Sequence, residues 1–148
     1  MKARLPRVWL IPFLLAACSS ASALQDGREI PRVKLVLTAD KVFYARQEPI
    51  TFILRVVNGT SNPVRLNFQT GQRFDVVMRD AKDQAVWRWS AGRLFTQMLG
   101  EETIPALGGE LRFEATARGD FPSGVYTVTG LIQALEETLS ARTTITVR

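Results

Sequence analysis

Ile50-Thr51-Phe52-Ile53-Leu54-Arg55-Val56 places Ile50, Phe52, Leu54 and Val56 at every second position, with Thr51 and Arg55 between them. Side chains of a β-strand point alternately to its two faces, so this stretch reads as a strand with one face buried and one in water. The same period recurs outward in both directions. Val33, Leu35 and Leu37 alternate with Lys34 and Thr38; Val64, Leu66 and Phe68 alternate with Arg65, Asn67 and Gln69. Leu111, Phe113 and Ala115 alternate with Arg112, Glu114 and Thr116. Phe74 to Arg79, Ala85 to Ser90, Val125 to Gln133 and Thr138 to Val147 read as further strands.

Turn chemistry separates these segments: Asn58-Gly59, Asn62-Pro63, Thr70-Gly71, Asp80 to Asp83, Gly108-Gly109 and Pro122-Ser123-Gly124. No stretch sustains a helical period. About eight short strands at this spacing predict an all-β fold, an Ig-like antiparallel β-sandwich of two sheets. Tyr126 follows the Pro122-Ser123-Gly124 turn at the start of a long strand, where a tyrosine corner would pin the chain with its hydroxyl. An ordinary strand tyrosine is the competing reading.

Ahead of the strands the chain has a different character. Lys2, Arg4 and Arg7 precede the uncharged run from Val8 to Ala17, the layout of a secretory signal peptide. A spanning helix needs about 20 apolar residues, and this run is broken by Pro12 and ends at Cys18. Leu15-Ala16-Ala17-Cys18 resembles a lipobox, which predicts residues 1–17 as signal peptide, Cys18 as the lipid-bearing first residue and residues 18–32 as a tether. Ala21-Ser22-Ala23 offers ordinary signal cleavage instead, which would release a secreted or periplasmic protein. Either way the expectation is export, with a membrane-anchored lipoprotein at the cell envelope as the favoured form. Residues 33–148 form the predicted domain.

Removing residues 1–17 takes Lys2, Arg4 and Arg7 from the 19 basic residues and leaves 16 against 14 acidic ones, a net +2. The remaining cations are scattered along the strands, as on solvated faces, and nothing points to nucleic acid. The single cysteine has no disulfide partner within the chain, and there is no histidine. Ser-His-Asp, Cys-His and the usual zinc sites therefore cannot be assembled from it. Glu101-Glu102 and Glu136-Glu137 are adjacent pairs pointing to opposite faces or lying in turns, and read as solvated charges. The expectation is a domain that acts by binding, with no catalytic residues, no cofactor and no metal.

Gly71-Gln72-Arg73-Phe74-Asp75 and the run from Val86 through Trp87-Arg88-Trp89-Ser90 to Phe95-Thr96-Gln97 are the most distinctive stretches. With Asn62-Pro63-Val64 before them and Pro122 to Tyr126 after them, they resemble the intracellular proteinase inhibitor (BsuPI) family, from about Val33 to Val147. The resemblance implies an Ig-like β-sandwich and inhibition of serine proteinases of the subtilisin type. The export signal departs from an intracellular role.

The residues themselves allow a physical reading beside this one. Trp87 and Trp89 are two apart and share a face, so they are expected to fill the space between the sheets; an exposed aromatic pair for a ligand is the alternative. Arg88 should then face solvent. Between Gly92 and Gly100 the connection carries Arg93, Leu94, Phe95, Met98 and Leu99, an unusual density of large side chains for a loop. Phe95 could fold inward as a strand residue. The sharper expectation is that Arg93, Leu94, Phe95 and Met98 form an extended segment offered to a proteinase cleft. The expected partner is a protein, with a serine proteinase implied by the resemblance; a non-inhibitory structural or interaction module of the envelope is the alternative.

Overall fold

The computed structural model describes residues 33–148, and no helix occurs among them. The chain runs through β1 (Val33–Ala39), β2 (Phe43–Tyr44), β3 (Ile50–Asn58), β4 (Val64–Phe68), β5 (Asp75–Arg79), β6 (Ala85–Arg88), β7 (Gly100–Ile104), β8 (Glu110–Ala117), β9 (Gly124–Gln133) and β10 (Thr138–Val147). One sheet has the order β1-β3-β8, the second β2-β10-β9-β5-β6, and β4 and β7 pair separately. All pairings are antiparallel except β2 with β10. This is the all-β sandwich expected.

The inward positions of β3 (Ile50, Phe52, Leu54 and Val56) are sealed from solvent, as their alternation with polar residues requires. They meet Leu35 and Leu37 of β1 and Tyr126, Val128 and Ile132 of β9 within one core. At Gly130 a Cβ would lie 3.0 Å from the Leu54 side chain, so the absent side chain lets the two sheets approach there. Tyr126 is buried and its hydroxyl donates to the Pro122 carbonyl at 2.6 Å, with Phe121 edge-on to its ring. Burial raises that hydroxyl's pKa above the ordinary tyrosine value.

Two strands lie outside the sequence expectation. β2 is only two residues long, and β7 reads Gly-Glu-Glu-Thr-Ile with one large apolar side chain, so neither shows the apolar alternation by which the others are read. β6 stops at Arg88 instead of continuing to Ser90, because the chain turns: Ala91 N–H donates to the Arg88 carbonyl and Arg93 N–H to that of Ser90. β5 buries Asp75, Val76, Val77 and Met78 in succession, so both of its faces are covered there.

Asn58, a turn residue by sequence, ends β3 at 0 % exposure. Its amide donates to the carbonyls of Asn62 at 2.8 Å and Pro105 at 3.1 Å, and its side-chain oxygen accepts from Thr60 N–H at 2.9 Å and Thr60 Oγ1 at 2.8 Å. One amide thus ties the β3–β4 and β7–β8 connections together. Asn58→Leu takes the amide from these part-buried groups and from the buried Ile104 carbonyl, and is expected to lower stability by about 1–3 kcal/mol. Urea unfolding should show a lower midpoint at unchanged slope.

Candidate functional site

The site is built where β5 and β6 hand the chain to the β6–β7 connection. β5 pairs β6 with Val77 opposite Arg88 and Met78 opposite Trp87, and Trp89 N–H continues the pairing by donating to the Val76 carbonyl at 2.9 Å. This register carries Trp87 and Trp89 to the inner side, where Trp87 sits 6.0 Å from Phe52 and the Trp89 ring lies tilted 4.0 Å from that of Phe74. Phe74 in turn stacks on Phe113 of β8 at 5.1 Å. Both tryptophans are half-buried, packing on the rim of the core.

Arg88 lies on the other face, as alternation demands, but it is not merely solvated. Its Nε is 3.2 Å from Oδ2 of Asp75, a carboxylate only 7 % exposed. Asp75 Oδ1 also accepts from Val76 N–H at 2.9 Å and Ser90 N–H at 3.1 Å, and Oδ2 accepts from Ser90 Oγ at 2.8 Å. A buried carboxylate needs such donors, and here two of them come from Ser90 at the start of the loop. Phe74-Asp75 and Trp89-Ser90, separate in the sequence, are thus contact partners.

Beyond the Trp89–Gly92 turn, Arg93 folds back. Its Nε donates to the Trp89 carbonyl at 2.8 Å and its guanidinium lies 4.5 Å over the Trp89 ring. Phe95 is half-buried with its ring 5.7 Å from the same tryptophan. Thr96 is held by Gly71, whose N–H donates to its carbonyl at 2.8 Å; a Cβ at Gly71 would lie 2.5 Å from Thr96 Oγ1, so this approach needs glycine. Between the two anchored residues Leu94 is 100 % exposed, and Met98 and Leu99 follow at 70 % and 79 %. The segment is no ladder strand: Phe95 folds inward while Leu94 faces out.

The acidic pairs also have partners. Glu102 of β7 bonds Arg73 at 2.9 Å, and Glu136 accepts from the backbone and side-chain amides of Asn67, which holds its carboxyl below the usual glutamate range. Leu135 N–H donates to the Asn67 carbonyl, so the β9–β10 hairpin is tied to β4. An open groove of about 420 Å³ lies between residues 69–75 and residues 133–135. Cys18 falls outside the described residues. Sequence reasoning singled out Arg93, Leu94, Phe95 and Met98 but missed Asp75, Ser90, Thr96 and Gly71 as their supports. The only signal was the presence of Gly71, Asp75, Ser90 and Thr96 in the stretches that carried the resemblance.

Fold and loop together define a β-sandwich domain with a braced, apolar-tipped connection. The chain belongs to the BsuPI family, described as intracellular proteinase inhibitor, whose sequence profile matches residues 37–137. No curated protein matches the sequence. Among solved structures it is similar to Spo0M, a sporulation control protein from Bacillus subtilis, at 17 % identity and a TM-score of 0.53 over 80 % of this chain and 50 % of that one. The C-terminal domain of wzt is similar at 12 % identity and a TM-score of 0.50, over 79 % of this chain and 74 % of that one. The chain spans half the length of the Spo0M chain, and at these identities both likenesses concern the fold.

Proposed function

We propose that this chain is a proteinase inhibitor of the cell envelope, held there by lipidated Cys18 and acting by binding through Arg93 to Met98. The observation that carries the reading is the state of Leu94, wholly exposed while Arg93 and Phe95 are both held on Trp89. A segment fixed before binding loses little conformational freedom when a partner closes on it, so its contacts translate into affinity. Membership of an inhibitor family supplies the kind of partner. The envelope location is supported by residues 1–18 alone.

Inhibition constants of the full chain against serine proteinases of the subtilisin and trypsin types test the activity. Absence of inhibition far above micromolar concentration would leave a non-inhibitory envelope module in its place. Location is tested by detergent phase partitioning. The wild type is expected in the detergent phase and Cys18→Ser in the aqueous phase, because a multiply acylated cysteine anchors stably and serine cannot be thioether-linked. Both forms in the aqueous phase would point to cleavage after Ala23.

A further inference from the structure

Three consecutive residues of the loop have divided roles. Arg93 and Phe95, two apart, both lie on Trp89, while Leu94 between them touches nothing that shields it. In extended backbone, residues i and i+2 share a side and i+1 faces the other way. The backbone is fixed on both flanks, by Arg93 N–H to the Ser90 carbonyl at 3.1 Å and by Gly71 N–H to the Thr96 carbonyl at 2.8 Å. Gly92, at φ 73°, makes the turn that launches the segment.

We propose that Leu94 is the residue that enters the primary specificity pocket of the target, and that the target is an endoproteinase with an apolar pocket. The inference rests on the inhibitor reading above and gives it a specificity. Arg93, the residue a pocket for basic side chains would select, is unsuited to enter one: its guanidinium covers Trp89 and its Nε is bonded to the Trp89 carbonyl. Withdrawing it would uncover the tryptophan and break that bond. Phe95 is similarly engaged on Trp89. Met98 and Leu99 are exposed but stand next to each other after a bend, without an anchored neighbour on both sides. Leu94 alone can enter a pocket without rearrangement of its neighbours, and an apolar pocket accepts its side chain while one built for a cation leaves its own charge unpaired.

The test measures inhibition constants and melting midpoints of the full chain as wild type, Leu94→Gly, Leu94→Arg and Arg93→Ala. The enzymes are serine proteinases of the subtilisin and chymotrypsin types, with apolar pockets, and of the trypsin type. The wild type is expected to inhibit an apolar-pocket enzyme. Both Leu94 variants should weaken that inhibition at least tenfold at unchanged midpoint, and Leu94→Arg should gain inhibition of the trypsin-type enzyme. Wild-type inhibition that survives Leu94→Arg within threefold overturns the assignment while leaving the inhibitor reading intact. Inhibition confined to the trypsin-type enzyme and removed by Arg93→Ala assigns the pocket to Arg93 and likewise overturns it. A wild type that inhibits no enzyme of the panel overturns the inhibitor reading and this inference with it.

Discussion

Trp89→Ala is expected to lower stability by about 3 kcal/mol and to weaken inhibition well beyond the loss of folded protein. The side chain is half-buried, so the lower end of the range for large-to-small aromatic substitutions applies. Its ring packs tilted against Phe74 at 4.0 Å and also supports Phe95 and the Arg93 guanidinium. Removing it opens a gap beside Phe74 and takes away the common platform of the loop. Arg93 and Phe95 then regain rotamer freedom that binding must remove again, at about 0.5–1.5 kcal/mol for each side chain. Melting curves should fall by about 10 °C for a domain of this size. Inhibition constants measured far below the midpoint should still rise. Unchanged inhibition at such a temperature would mean that the loop does not depend on Trp89, and the braced-segment reading would fail.

How far the sequence reveals this molecule depends on where the information lies. β3 is legible because Ile50, Phe52, Leu54 and Val56 record the burial of one face directly, and β1, β4, β8, β9 and β10 repeat that record. β7 is not, because four of its five residues keep some exposure and its place is decided by pairing with β4, from Val64 opposite Ile104 to Phe68 opposite Gly100. Phe43-Tyr44 is held as β2 by two register pairs with the end of β10, more than a hundred residues away. Partnership across the chain is invisible to a local period.

The same holds for the site. The exposure of Leu94 and the inward turn of Phe95 could be posed from side-chain size in a glycine-bounded loop, since a connection carrying that many large residues must divide them between core and solvent. What braces the loop could not be posed. Arg88 reads as a solvated outward residue because its alternation with Trp87 and Trp89 is plain, whereas its partner Asp75 is supplied by the neighbouring strand β5 through a register no single segment encodes. Gly71 reads as a turn glycine, although it also serves to admit Thr96.

Asp75→Ala is expected to cost about 3 kcal/mol, because it removes the acceptor shared by several inner donors. It leaves Val76 N–H, Ser90 N–H and Ser90 Oγ without their acceptor, and it frees Arg88. Arg88 is half-exposed and can return to water, so the larger part of the loss comes from the three inner donors. Asp75→Asn tests this division. The amide oxygen can keep the two backbone bonds, and its NH₂ can donate to Ser90 Oγ, so only the ion pair disappears and the loss should be about 1 kcal/mol. Because Ser90 also supplies the carbonyl that receives Arg93 N–H, the alanine variant should weaken inhibition along with stability, while the asparagine variant should inhibit nearly as the wild type does. A double-mutant cycle with Ser90→Ala should give a coupling energy of about 1–2 kcal/mol for the pair. Equal losses for alanine and asparagine would place the value of Asp75 in its charge on Arg88, and the loop would then owe its position to Trp89 and Gly71 alone.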